Sequence, residues 1–258
     1  MKISAQVLVK NEERFVWFAI MSVIDYVDEI LVWDNGSEDA TREIVRLIKN
    51  PKVRFRSVPD MPLQKAREEM IRETNADWIF VLDGDEIWYD GAVLKVRNEL
   101  EKFRDKKDFI IVPNYMLVGD MYHFQEKEAG RYDVGGRIGH YNIRVIRNTD
   151  GLHIEGVYGN EAFVTKEGIK IQNLPESRSL LLDFPYLHAS FLKRKKFEIG
   201  EEFPLDFYYP EVFFRPKPEA VPSIWEPMAG SFRFVSFIET PFRKIYRRTL
   251  LPFKKHGY

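Results

Sequence analysis

FVLDGDEIW, residues 80–88, is the stretch on which the fold of this chain turns. Ile79, Phe80, Val81 and Leu82 make an apolar, strand-forming run, and three acids follow within four positions: Asp83, Asp85 and Glu86. A buried strand that delivers clustered negative charge at its end presents that charge to a ligand. Asp83 and Asp85 are spaced i, i+2, which in extended chain puts both carboxylates on one side. Gly84 between them leaves the backbone open to close approach, and Glu86, one step on, is expected to point elsewhere as a supporting group. Two carboxylates with an open face suit a hard divalent cation, Mn²⁺ or Mg²⁺, which prefers oxygen and fills its remaining positions with phosphates and water. The plain alternative is a solvated acidic loop.

The residues before this stretch alternate in type. ISAQVLV (3–9), EILVWD (29–34), VRFRSV (53–58) and DWIFVLD (77–83) read as short strands from their β-branched and aromatic content. Helices fill the gaps. Asn11 is a candidate cap for a helix with Glu12 and Glu13 in its first turn, and Ser37 or Asp39 for DATREIVRLI, where Ala40, Ile44, Leu47 and Ile48 share a face. Leu63, Ala66 and Met70 give a third apolar stripe, and Ala92 to Phe103 a fourth helix. Strict alternation implies crossover connections, hence an α/β fold whose parallel first half is covered by helices on both faces. FIIVPNYMLV (109–118), YNIRVIRN (141–148) and AFVTKEGIKI (162–171) are strand-like with turns between them, so the second half adds antiparallel strands to a mixed, Rossmann-like sheet. From residue 201 the chain is rich in proline and aromatics and reads as an irregular wrap ending in a basic segment.

Composition removes several function classes. With 258 residues, 45% of them hydrophobic, the chain can bury one sizeable core. No apolar run approaches the roughly 18–20 residues of a membrane span, and no secretory signal is legible, so the expected location is cytoplasmic, at most peripheral on the inner face of a membrane. There is no cysteine, which excludes disulfides, thiolate metal sites and a cysteine nucleophile. The net charge of −1 speaks against nucleic acid as a partner. It hides an asymmetry: residues 240–258 carry Arg243, Lys244, Arg247, Arg248, Lys254 and Lys255 and no acid. Phe242, Ile245, Tyr246, Leu250 and Phe253 fall near helical spacing there, interrupted by Pro252. Such a segment either lies on anionic lipid or packs its apolar side on the core and leaves a solvated basic face.

Ligands of open α/β sheets sit outside the carboxyl ends of the strands. Three early strands end there in polar clusters, Lys10-Asn11-Glu12, Asp34-Asn35-Gly36-Ser37 and Asp83-Gly84-Asp85-Glu86, which should converge in space.

The opening AQVLVKNEERFVWFAIMSVIDYVDEILVWDNGSEDAT together with ADWIFVLDGDEIW resembles the nucleotide-sugar glycosyltransferases of family 2, with the GT-A fold, over roughly residues 3–195. The resemblance implies a glycosyltransferase domain over 1–200, with a nucleotide-binding half (1–105) and an acceptor half (106–200), followed by the wrap and basic segment of 201–258. It implies Asn11, Glu12 and Asp34 at the base and ribose, Asp83 and Asp85 on the ribose and the diphosphate-bound metal, and Arg67 on the phosphates. His188 falls where such enzymes complete the metal shell, which favours manganese. One branch of the family has R-x-x-R-N, a G-x-x-x-x-G segment, then a His-Glu pair carrying the base. Here stand RVIRN (144–148), GLHIEG (151–156) and Asn160-Glu161, so Glu161 keeps the carboxylate without its histidine, and Glu155 is its rival. The implied reaction is inverting, metal-dependent transfer from a nucleoside-diphosphate sugar, a UDP-sugar first, to a hydroxyl of a saccharide such as a cell-envelope polysaccharide or of a lipid-linked acceptor. A single base and no covalent intermediate are expected. Two other classes stay open: a non-catalytic scaffold with a degenerate ion site, and a haloacid-dehalogenase-type phosphatase, which usually carries its D-x-D near the amino terminus.

Overall fold

Seven consecutive buried residues, Ile3–Val9, form the first strand (β1) of a computed structural model that describes residues 1–103, 106–130, 132–134, 137–156, 161–193 and 196–249. Helix α1 (Val16–Val23), β2 (Glu29–Asn35), α2 (Thr41–Leu47), β3 (Val53–Val58), α3 (Leu63–Glu73) and β4 (Trp78–Asp83) follow in alternation. β1 pairs in parallel with β2 on one side and β4 on the other, and β3 extends the sheet beyond β2. Side chains alternate across this sheet as strand geometry requires. Ile3, Ala5, Val7 and Val9 join Ile30 and Val32 in the core beneath α1, while Leu8, Leu31 and Trp33 meet Ala66 and Met70 of α3 on the other face. α1 is apolar nearly all round and buried nearly all round, as a helix sealed between a sheet and further chain must be.

The second half introduces β5 (Glu86–Ile87), α4 (Asp90–Lys102), β6 (Phe109–Met116), β7 (His123–Phe124), β8 (Tyr132–Val134), β9 (Arg137–Gly139), β10 (Tyr141–Arg147), β11 (His153–Glu155), β12 (Ala162–Val164), β13 (Ser179–Leu181), β14 (Tyr186–His188), the short α5 (Ser190–Lys193), β15 (Glu201–Glu202) and α6 (Gly230–Thr249). The sheet order is β3-β2-β1-β4-β10-β6-β14-β5, with β13 also on β6. β10 is antiparallel to both β4 and β6, the expected addition. β13 and β14 run parallel to β6, against expectation; each has three residues, too few for a periodic signal. Of AFVTKEGIKI only Ala162–Val164 is strand, because the chain turns back at Gly168, whose φ is 78°.

Residues 201–229 contribute rings to the core and to one another: Phe203 stacks on Phe207 at 3.8 Å, and Phe213 meets Phe18 of α1 at 5.3 Å. The wrap then yields to α6, a helix of 20 residues that starts ten residues before the basic segment. The expectations placed on Leu250, Pro252, Phe253, Lys254 and Lys255 lie outside the described residues. Among the described residues no helix is long and apolar enough to cross a membrane.

Candidate active site

The strand-end loops of β1 and β2 are knitted together residue by residue. Asn11 adopts φ 58°, a left-handed conformation that asparagine tolerates better than most residues. It does not cap α1, which begins only at Val16. Instead its N–H donates to Ser37 Oγ at 2.8 Å and its Oδ1 accepts from the Glu38 N–H at 2.7 Å. Glu12 N–H donates to Thr41 Oγ1 at 2.7 Å, and Ala40 N–H to Glu13 Oε2 at 2.9 Å. Asp34 is fully buried under this lattice and takes the Ser37 N–H at 3.2 Å, so it orders the loop and does not reach the cavity wall; Asn35 does.

The acidic stretch is not extended. β4 ends at Asp83, the chain turns at Gly84-Asp85, and β5 starts at Glu86. The turn swings Glu86 inward, contrary to the expectation that it points elsewhere: it is fully buried. β5 pairs with β14 so that Glu86 stands opposite His188, bringing His188 Nδ1 to 3.8 Å from Glu86 and Nε2 to 3.5 Å from Asp85. Gly84 is needed for a different approach from the one expected. A Cβ there would lie 2.7 Å from Val9 Cγ1 and 2.9 Å from Glu12 Cγ, so the space serves Glu12.

Arg144 closes the cluster from below. A register shift between Ile143 and Val145 puts a bulge in β10 at this residue, and bulges re-aim side chains. The guanidinium donates to Asp83 at 3.0 Å and also ion-pairs with Glu86. Its Nε donates to the Tyr186 hydroxyl at 3.2 Å, and the Tyr186 ring stacks on Trp88 at 4.8 Å. The second arginine of RVIRN, Arg147, faces away and binds Asp108 at 3.2 Å.

Asn11, Glu12, Arg67, Asp83, Asp85, Glu161 and His188 all line one cavity of about 950 Å³ at the strand ends, with Arg144, Lys193 and Lys196. Arg67 of α3 donates to Asp83 at 3.0 Å, while its buried Nη1 has no hydrogen-bond partner among the described residues. Lys193 donates to Glu12 at 2.5 Å. The rival acids separate cleanly. β11 turns Ile154 to the cavity and, by strand alternation, Glu155 away from it, where it is half exposed and 3.2 Å from His153. Asn160 of the Asn160-Glu161 pair, and Arg194 and Lys195 between Lys193 and Lys196, lie outside the described residues.

Burial works against ionisation of Asp83, but Arg144, then Arg67 and His188, outweigh it and hold the carboxyl well below the usual range. Glu86 is pushed up to about 7 by burial, although Arg144 opposes this. Glu12 is pushed up to about 8, by burial and then by Asp85, with Lys193 opposing. Burial disfavours the imidazolium of His188, yet Asp85 and Glu86 raise its pKa overall. Crowded carboxylates that resist ionising together are what a cation would relieve. Asp83, Glu86 and His188 each offer a ligand atom within 4.8 Å of the others, and buried His188 Nδ1 has no hydrogen-bond partner among the described residues, so the donor set fits a divalent ion.

Arg144 and Glu86 were missed as site residues. The signal was present, since an arginine in the strand beside three acids needs a reason, but the bulge that aims it has no sequence mark.

The fold has solved counterparts. S. aureus TarS, residues 1–349, superposes with a TM-score of 0.52 at 14% identity, over 76% of this chain and 62% of that one. The same fragment in complex with UDP-GlcNAc gives 0.52 at 15%, over 73% and 58%. This likeness is one of fold, the GT-A arrangement of a mixed α/β sheet. A TPR repeat-containing protein of Synechococcus elongatus is 31% identical over 101 residues, which span 39% of this chain and a quarter (25%) of that relative's length. The profile of glycosyl transferase family 2 matches residues 4–156, more than half of the chain, and the protein belongs to that family.

Proposed function

We propose that the protein transfers a sugar from a nucleoside-diphosphate sugar to an acceptor hydroxyl, with inversion and with a divalent cation. One observation carries this reading: residues from β1, α3, the β4–β5 turn, β14 and the start of β12 converge on a single cavity at the strand ends. A UDP-sugar is the preferred donor, since TarS, which shares the fold, has been crystallised with UDP and with UDP-GlcNAc.

The nucleoside lies against the knitted loop that presents Asn11 and Asn35, with Asp34 ordering that loop from beneath. Arg67 turns its unpartnered Nη1 to the phosphates, and Lys196 adds charge from the far wall, its pKa pushed down to about 8 by burial. Asp83 answers to two arginines and Glu86 to one of them, so Asp85 and His188 would be the principal ligands of a cation, with Asp83 next in reach; a few protein ligands suffice where phosphates and water complete the shell. A cation held there, Mn²⁺ by preference for imidazole, would supply charge that stabilises the departing diphosphate. Glu12, over Gly84 and beside Asp85, faces the phosphate and sugar end of the donor. Glu161 takes the acceptor proton, the one task left, and no covalent intermediate is needed. The acceptor is a saccharide or a lipid-linked carrier.

Hydrolysis and thermal-shift screening of nucleotide sugars with Mn²⁺ tests the reading. Stabilisation by one nucleoside diphosphate with metal-dependent sugar release is expected; no stabilisation by any donor would leave a scaffold, and release of phosphate from simple esters would return the phosphatase. The family match and the D-x-D after the fourth strand both weigh against that last class.

A further inference from the structure

α6 is turned the opposite way from an ordinary surface helix. Its buried residues are polar, Ser236 and Thr240, while Phe234, Phe237 and Phe242 are 67%, 69% and 70% exposed. Ile238 and Ile245 are exposed on the same stripe, since at 3.6 residues per turn all five fall on one side. The rotation is fixed from the other side. Arg247 donates to Glu126 at 3.1 Å and to buried Glu198 at 2.5 Å, and Thr240 Oγ1 accepts the Ile199 N–H at 2.8 Å. Turning the aromatic stripe inward would strip Glu198 of that partner inside the protein, a heavy cost. The exposed stripe is therefore a built feature, and it overturns the reading in which the apolar side of this segment packs on the core.

Charge selects the occupant. Arg233, four residues before Phe237, and Arg248, eleven after it, share one edge of the stripe and are exposed. The acid on the opposite edge, Glu239, is engaged by Arg243 at 2.6 Å. Residues 240–258 hold six cations and no acid. A second copy of this helix would bring more cations and only Glu239, already held by its own Arg243, to answer them, whereas an anionic bilayer offers both an apolar layer for the rings and phosphates for the arginines.

We propose that α6 lays Phe234, Phe237, Ile238, Phe242 and Ile245 into the interfacial layer of an anionic membrane, with Arg233 and Arg248 at the headgroups. The anchor reaches the cavity: Glu198 also accepts from Gln125 Nε2 at 2.8 Å, and Gln125 lines the cavity wall. The site is thereby held beside the bilayer, where a lipid-linked acceptor would be presented.

The test uses the full chain and vesicles of phosphatidylcholine, with or without phosphatidylglycerol, in a pelleting assay. Pelleting with the anionic vesicles, weakened by salt, is expected. The exposed triple substitution Phe234→Ser, Phe237→Ser, Phe242→Ser should lower binding at least about tenfold, and Arg248→Glu about fivefold. A wild-type chain that stays in solution, or a triple variant that pellets equally, overturns the proposal. So does a dimer that the triple variant dissociates while vesicles fail to bind, which assigns the stripe to a second copy. Donor hydrolysis in solution is measured beside it: intact hydrolysis without pelleting sinks the membrane contact alone, and pelleting without hydrolysis sinks the transferase reading alone.

Discussion

His188 Nε2 stands 3.5 Å from a carboxylate oxygen of Asp85, at the edge of the cluster. Asp83, by contrast, is bound by both Arg67 and Arg144. Asp85→Asn and His188→Ala should therefore each raise the Mn²⁺ needed for donor hydrolysis, by about 10–100-fold or more. A metal titration of hydrolysis checks this. An unchanged titration in Asp85→Asn would place the ion elsewhere.

Glu161 and Glu155 give a paired prediction. Glu161→Gln should keep thermal stabilisation by donor yet lose about 10²- to 10⁴-fold in transfer, the range for a removed general base. Glu155→Gln, on the outward side of β11, should transfer at close to the wild-type rate. The reverse pattern would exchange their roles.

Arg144 ion-pairs with both Asp83 and Glu86, and it is buried. Arg144→Met leaves Glu86 without its charge partner and should cost about 3–5 kcal/mol in urea unfolding. Adding Glu86→Gln removes the stranded charge, so the double variant should recover part of the loss. Equal or greater loss in the double variant would show that Arg144 acts through packing alone.

Gly84→Ala tests the close approach of the first and fourth strand ends. The new methyl would meet Val9, a core residue of β1, and Glu12, held by Thr41 and Lys193, so neither neighbour yields easily. A loss of about 1–3 kcal/mol is expected, with weaker donor binding as Glu12 shifts. Wild-type stability and binding would mean that the turn relaxes freely.

What the sequence made legible follows from length and locality. β1, β2, β4 and β6 are runs of six to eight residues with alternating or continuous apolar content, and they read directly. Asp83 and Asp85 read from their place at the end of such a run. Glu86 did not, because the turn at Gly84-Asp85 cancels the extended-chain geometry that assigned it to the far side. Arg144 depended on a bulge in β10, and β13 and β14 on three residues each. The rotation of α6 is set by Glu126, 121 residues from Arg247, a partner that no local pattern names.

Asp120 and His123 form a partly buried pair at 2.5 Å that also fixes the approach to α6, since Asp120 accepts the Met228 N–H at 2.8 Å. His123 is raised by its bond to Asp120, burial opposing; Asp120 is lowered by His123 and the Met228 and Tyr122 amides, which overcome burial. The signs differ. The histidine's contribution is full below its unfolded value of about 6.5 and is lost as pH rises through its raised folded pKa. The aspartate's is full above about 4 and is lost as pH falls through its depressed folded pKa. Stability from the pair should thus be greatest between about pH 4 and 6.5. His123→Gln should lower the melting temperature by a few degrees near pH 6, about 1 kcal/mol for a partly exposed pair, and by markedly less near pH 9. A deficit of equal size at both pH values would show that the imidazole is held for its shape and not for its charge.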